Sequence, residues 1–407
     1  MQELLFGIYL NNLTINSYFV SKLYLYNNLI SKALRFGIKA YFYKMKASPH
    51  FIIPLFFAFF VCLFVRANPS SDKPIKQSGK PKRFIVASAP ILTATGNQIY
   101  CPLSRINIVT NISITDSDTD PSNDNTDAIY IQISSGYVKG EDQLTLNNAI
   151  AHPNIKSSWN VNEGKLTLNS STGIPITYTD FENAINAVQF NNTSSIPSGI
   201  RNFSISIGQA NYLPRNGHYY EYVPDLGITW TNAKNAASLK TYYGLQGYLA
   251  TITAADEAQL AGKQAPGAGW IGGSDAETEG IWKWITGPEA GTIFWNGLAN
   301  GSTPNFAFWN SNEPNQAGDE DYAHITAPGI GIAGSWNDLS NIGDPSGNYQ
   351  PKGYIVEYGG TAGDPTLQLS ASTSLTIASI SSTTPASRCD AGTVTLTATA
   401  TAATIDW

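Results

Sequence analysis

From Arg83 to Ile207 the sequence runs in short stretches that alternate apolar and polar residues. Successive side chains of a strand point to opposite faces, so a period of two predicts strands with one buried face. The stretches are Ile106-Asn107-Ile108-Val109, Ile112-Ser113-Ile114, Ile129-Tyr130-Ile131-Gln132-Ile133, Leu144-Thr145-Leu146, Leu166-Thr167-Leu168 and Phe203-Ser204-Ile205-Ser206-Ile207. Gly136, Gly140, Gly164 and Pro197-Ser198-Gly199 separate them as turns. Six or more short strands with regular turns predict a β-sandwich over residues 85–208. One helix interrupts it, Asp180 to Val188, with Phe181, Ala184, Ile185 and Val188 on one face.

The whole chain has 407 residues, room for two or three domains. Only 13% are charged, the net charge is -6, and Thr, Ser, Asn and Gly are abundant, which suits extracellular β-rich modules. The acidic excess, with no Lys/Arg cluster after residue 85, excludes a nucleic-acid partner. Cys62, Cys101 and Cys389 are too few and too far apart for a disulfide framework, and nothing has zinc-ligand spacing. His50, His152, His218 and His324 are likewise unrelated in spacing.

Phe51 to Val65 is uncharged and apolar, with Lys44 and Lys46 before it and Arg66 after. A membrane span needs about 20 residues. This shorter run fits the apolar core of a signal peptide, with Val65-Arg66-Ala67 as the cleavage site. Residues 45–67 are therefore expected to direct export, to a secreted or cell-surface location. Membrane attachment is expected only if this segment stays uncleaved. Met45 is the expected start, which makes 1–44 an over-extended reading frame; the alternative is a cytoplasmic tail before a signal-anchor. Residues 68–84 read as a Pro-, Ser- and Lys-rich linker.

The stretch 100–208 resembles the cadherin-like modules of bacterial surface adhesins. Ile114-Thr115-Asp116-Ser117-Asp118, Ser135-Gly136-Tyr137, Gly140-Glu141-Asp142, Trp159, Gly164 to Leu168, Tyr178 to Val188 and Arg201 to Ile205 carry the resemblance. Asp116, Asp118, Asp120, Asp124 and Asp127 read either as a structural calcium loop or as a solvated acidic turn. An EF-hand is excluded, because Pro121 stands where Gly is required.

Residues 209–360 differ. Two helices are predicted, Trp230 to Lys240 behind the N-cap Thr229, and Thr253 to Gln264 behind a capping box in Thr253-Ala254-Ala255-Asp256. Aromatics then dominate: Trp270, Trp282, Trp284, Phe294, Trp295, Phe306, Phe308, Trp309 and Trp336. Density alone marks them as core. Their setting resembles the C-type lectin-like fold. Gly247 to Ile252, Trp270-Ile271-Gly272-Gly273-Ser274-Asp275, Glu279-Gly280-Ile281-Trp282-Lys283-Trp284 with Gly287, Glu313-Pro314-Asn315, Trp336-Asn337-Asp338 and Gly353 to Tyr358 match that family's motifs in order.

That resemblance implies an α+β domain with a calcium site at Glu313, Asn315, Glu320, Asn337 and Asp338. Glu313, Asn315, Glu320 and Asn337 would also contact sugar hydroxyls, and in the family Pro314 is cis. Calcium takes six to eight oxygen ligands, and these residues offer only oxygens. The Glu-Pro-Asn form resembles lectins that prefer mannose, fucose or N-acetylglucosamine over galactose. An auxiliary calcium site would use Asp275, Glu279 and Asp321, weakened by Gln316 where relatives often place a carboxylate. The family's disulfides are absent; Ala237 with Val356 and Tyr322 with Asn341 stand in their places.

Residues 361–407 read as a linker and the opening of an immunoglobulin-like domain around Arg388 to Thr397, cut short at Trp407. The expectation for the chain is thus multi-domain and mainly β: calcium-dependent glycan binding by a secreted or surface bacterial adhesin. The alternative is a calcium-stabilised module that binds surface proteins or serves structure alone. An enzyme is disfavoured. Gly267-Ala268-Gly269-Trp270-Ile271-Gly272 fits a dinucleotide-binding spacing but follows a helix and opens a strand, the wrong context. Carboxylate pairs such as Glu313 and Glu320 could cleave glycosides only with one kept protonated, which a bound cation opposes.

Overall fold

A computed structural model describes residues 89–116, 124–384, 389, 392–393 and 395–400. The expected signal segment 45–67, residues 1–44, the linker 68–84, and Asp118 and Asp120 lie outside the described residues. Among the described residues no helix is long and apolar enough to cross a membrane.

Alternation does produce strands. Asn111–Thr115, Ala128–Ser135, Asp142–Leu146, Lys165–Ser170 and Ile200–Ser206 bury every second side chain over most of their length. They divide between a six-stranded sheet and smaller sheets of two or three strands. Ile129, Ile131, Leu168, Leu144, Phe190, Phe203 and Ile205 close one shared core at 0% exposure, which is the layered arrangement alternation demands. The helix runs over Tyr178–Asn186, capped by Thr177, whose hydroxyl accepts from the Asp180 N–H at 3.1 Å. Val188 is buried as expected but opens the strand Val188–Asn192.

The expectation for residues 361–407 needs correction. Ser370–Ile377 is not a linker: it completes the six-stranded sheet, antiparallel to Ile200–Ser206 and parallel to Asn97–Tyr100. Leu375 and Ile377 are each 1% exposed in the sandwich core. The physical cause is the missing partner at that edge, where unpaired backbone groups would otherwise be buried. The aromatic domain is therefore an insertion. The chain leaves the sandwich after Ser206 and returns at Ser370, and the hydroxyls of these two residues share a hydrogen bond at 2.7 Å. Beyond it, Ile380–Thr384 pairs with Thr397–Ala400 as a separate two-stranded sheet.

The inserted domain is built on a ten-stranded sheet. His218–Pro224 and Gly353–Tyr358 pair at its centre, and Trp270–Ser274 continues to Ile281–Trp284 and Ile293–Asn296. Tyr322–Ile325 and Trp336–Leu339 branch from Trp270–Ser274. The helix Trp230–Ser238 is capped by Thr229, and the Trp230 indole donates to the Ile271 carbonyl at 2.8 Å. Gly269 and Gly272 serve packing: a Cβ at Gly272 would stand 2.2 Å from the Thr286 hydroxyl, and one at Gly269 would stand 2.9 Å from the Gly353 backbone.

The second helix differs from expectation. Only Ala255–Glu257 is α-helical, and Ala258–Lys263 widens into a π-helix. Glu257, not Asp256, closes its start, accepting from the backbone of Thr253 and Ala254. The π turn faces the sandwich. Gln259 accepts from the Gly136 N–H at 3.2 Å, and Gln264, 1% exposed, donates to the carbonyls of Ile133 (3.1 Å) and Glu163 (2.6 Å).

Candidate functional site

Between the strands Ile293–Asn296 and Tyr322–Ile325 lies a long loop, and aromatic anchors fix it. Phe306, Phe308 and Trp309 pack on a core that includes Trp282, Trp284, Phe294 and Trp336. The Trp336 N–H donates to the Phe308 carbonyl and the Asn310 N–H to the Trp336 carbonyl, both at 2.8 Å. The loop is thereby sewn to the strand Trp336–Leu339, which carries Asn337 and Asp338.

Asp338, 1% exposed, then gathers the tip of the loop. Its carboxylate accepts from the Asn315 N–H at 2.9 and 3.1 Å and from the Gln316 N–H at 2.9 Å. The Asn315 amide donates to Glu313 at 2.5 Å, and the Glu313–Pro314 bond is cis. Glu320 accepts from the Ala317 N–H at 2.8 Å, and its own N–H donates to Gln316 at 3.0 Å. Asn337 donates to the Asp338 carbonyl at 2.8 Å, while its carbonyl oxygen is buried with no hydrogen-bond partner.

Asp275, Glu279 and Asp321 form a second group beside the first. Asp275 accepts from the Gly280 N–H at 2.9 Å, and its other oxygen is buried without a partner. The Asp275 N–H donates to the Asp321 carbonyl at 3.2 Å. Gln316 joins the groups, donating to Glu279 at 2.5 Å. The sequence singled Gln316 out only as a weakness of the auxiliary site. The resemblance sets residue 316 in the same group as Glu279; the fold adds that its amide donates to Glu279 while its side-chain oxygen accepts from the Glu320 N–H.

The electrostatics are those of crowded acids. Burial, with the charges of Glu279 and Asp321, pushes Asp275 up to about 7, although the Gly280 N–H works the other way. Burial, then the charge and hydrogen bond of Asp338 and the charge of Glu320, push Glu313 up to about 8. Glu279, Glu320 and Asp321 are also raised, first by burial and then by neighbouring carboxylates. Among the described residues none of these acids has an ion-pair partner; the nearby Lys283 is taken by Glu277 at 2.7 Å. Two orphaned oxygens, five amide or carboxylate side chains at the loop and mutual repulsion fit a hard cation. Among the described residues, however, no three His, Cys, Asp or Glu side chains stand arranged to hold a metal, and Asp338 already spends its oxygens on backbone N–H groups.

No protein-family profile matches the chain. Halomucin of Haloquadratum walsbyi is 33% identical over 309 residues, which is 73% of this chain and 3% of that protein. C-type lectin domain family 4 member M of Hylobates lar is 33% identical over 93 residues, 22% of this chain and 19% of that protein. The chain thus spans only a small part of the length of these curated relatives. Among solved structures, the mouse scavenger receptor C-type lectin carbohydrate-recognition domain is 21% identical, with a TM-score of 0.25, over 36% of this chain and 90% of that one. The chain contains a C-type lectin-like domain, built on the strands from His218–Pro224 to Gly353–Tyr358.

Proposed function

We propose that the lectin-like domain binds glycans in a calcium-dependent manner, on a secreted or cell-surface adhesin of the bacterial type. The observation that supports this reading is the loop tip drawn onto the strand Trp336–Leu339: Asp338 accepts from the Asn315 backbone, Asn315 donates to Glu313, and burial with the charges of Asp338 and Glu320 raises Glu313, with no ion-pair partner for these acids among the described residues. These five would hold the cation, and Asp275, Glu279 and Asp321 an auxiliary one. Bound calcium would supply open coordination places for vicinal sugar hydroxyls. Glu313 and Glu320 then accept hydroxyl protons, while the Asn315 and Asn337 amides donate. Hydrogen bonds to charged groups are the stronger kind, so the pairs are read by geometry. The Glu-Pro-Asn order favours mannose, fucose or N-acetylglucosamine. The role is binding rather than catalysis.

The test is calorimetric titration of the full chain with calcium, then with mannose or fucose. Calcium heat followed by sugar heat is expected, with the sugar heat lost in Asn315→Ala and both lost in Glu313→Ala. Calcium heat without a response to any glycan shifts the assignment to a protein-binding adhesion module. No calcium heat at all overturns the cation site.

A further inference from the structure

The sandwich and the lectin-like domain meet along a cleft of about 650 Å³ that shares no residue with the Glu313 loop. One wall is Glu163, Lys165 and the crossing segment Gly208 to Asn211; the other carries Tyr222, Tyr242, Tyr243 and Tyr358. Clefts of some 300–1,000 Å³ between domains, lined by aromatic rings and a few polar groups, are where proteins usually hold small ligands.

Three features narrow the ligand. The charged side chains of the lining cancel: Lys165 pairs with Glu163 and Lys240 with Glu221, each at 3.3 Å. An ionic ligand would find no free counter-charge. Second, the Asn211 side-chain oxygen is buried without a hydrogen-bond partner, so it lacks a donor. Third, Tyr243 holds a left-handed backbone, φ 50°, and stays 50% exposed at the edge of the cleft, its ring edge-on to Tyr242 at 4.9 Å. That conformation is what the two-residue hairpin turn Tyr243-Gly244 requires, with positive φ at both positions, and the turn holds the half-exposed ring at the mouth of the cleft.

The geometry points to a second carbohydrate site: the cleft takes a small neutral saccharide, its C–H face stacked on Tyr243 and a hydroxyl donated to Asn211. Neutral rings with an apolar face and hydroxyl edges match a wall of tyrosines beside Lys and Glu side chains that are already paired with one another. Because this site has no cation donors in its argument, it stands independently of the calcium reading.

Saturation-transfer NMR on the full chain in EGTA, with maltose, cellobiose, lactose and mannobiose, tests it. At least one disaccharide is expected to receive saturation. Tyr243→Gly, which suits the left-handed backbone and so keeps the fold, is expected to weaken that binding roughly tenfold, the loss of one aromatic contact. Asn211→Ala is expected to weaken it as well, with both melting temperatures near the parent's. Glu313→Ala is expected to leave it unchanged. No saturation of any disaccharide overturns the proposal. So does binding that both cleft variants retain, binding that Glu313→Ala removes, or tighter binding of glucuronate or glucosamine than of the neutral sugars.

Discussion

His324 sits on the strand Tyr322–Ile325 at 1% exposure, edge-on to Trp270 at 5.0 Å, with its Nε2 buried and unpartnered. Burial first, and then the positive charge of Lys352, lower its pKa from the usual 6.5 to about 3, against a backbone hydrogen bond. The folded imidazole is therefore neutral. The stability it permits is present above the unfolded value of 6.5 and is lost as pH falls from there toward 3. The slope is at most about 1.4 kcal/mol per pH unit in that window. His324→Leu removes the protonatable group, so urea unfolding should show a shallower loss of stability between neutral and acidic pH than the parent. An unchanged slope would place the acid sensitivity elsewhere. In the sandwich, Asp142 and Arg201 form a buried pair, Nε to Oδ2 at 2.7 Å, with Asn192 on the other oxygen at 2.6 Å. Arg201→Met strands the buried carboxylate and should cost about 3–5 kcal/mol by chemical denaturation. At this scale motif order drew attention to Glu313, Asn315 and Asp338, which the fold joins through the Asn315 backbone and amide. The sequence was silent on the partner of Asp142: alternation puts this carboxylate on the buried face with Leu144 and Leu146, and only the fold brings Arg201 to it.

Among the elements, one cap and alternation were the legible parts. Thr229 caps as its place in the sequence predicts, whereas the helix expected from Asp180 starts two residues earlier behind Thr177, a cap that apolar spacing did not point to; Thr229→Ala is expected to cost about 1 kcal/mol in thermal unfolding. Apolar spacing could not reveal the π turn at Ala258–Lys263. Helical windings differing by a fraction of a residue per turn share one pattern over so few residues, and the wider turn here presses Gly262 to where a Cβ would stand 2.8 Å from the Gly334 carbonyl. That turn aims Gln264 into the sandwich, where its two donated bonds join the modules. Gln264→Leu leaves the carbonyls of Ile133 and Glu163 without that donor and should destabilise the chain by about 1–3 kcal/mol. The missing disulfides have visible substitutes. Ala237 and Val356 are both 0% exposed in one core, while Tyr322 packs on Trp230 at 4.5 Å and Asn341 accepts from the Thr231 N–H and hydroxyl, each at 3.0 Å. Both residues of the second pair thus grip the start of one helix.

For the whole molecule, the hardest feature to read was that one module interrupts another. Alternation tells which face of Ser370–Ile377 is buried but not which sheet receives it, and its partners Asn97–Tyr100 lie far back in the chain. A chain ending at residue 360 should therefore lose more than a tail. It would expose Phe203, Ile205 and Tyr100 at a broken sheet edge, and limited proteolysis should cut residues 89–207 faster than in the full chain. The same arrangement has a mechanical meaning. Because Ser206 and Ser370 are bonded neighbours, a pull applied along the chain reaches the sheet of the sandwich and is shared by its hydrogen-bonded strands. The lectin-like domain hangs from those two adjacent points as a side loop outside the line of tension, so force carried through the chain loads the sandwich strands and leaves the shape of the inserted domain unloaded.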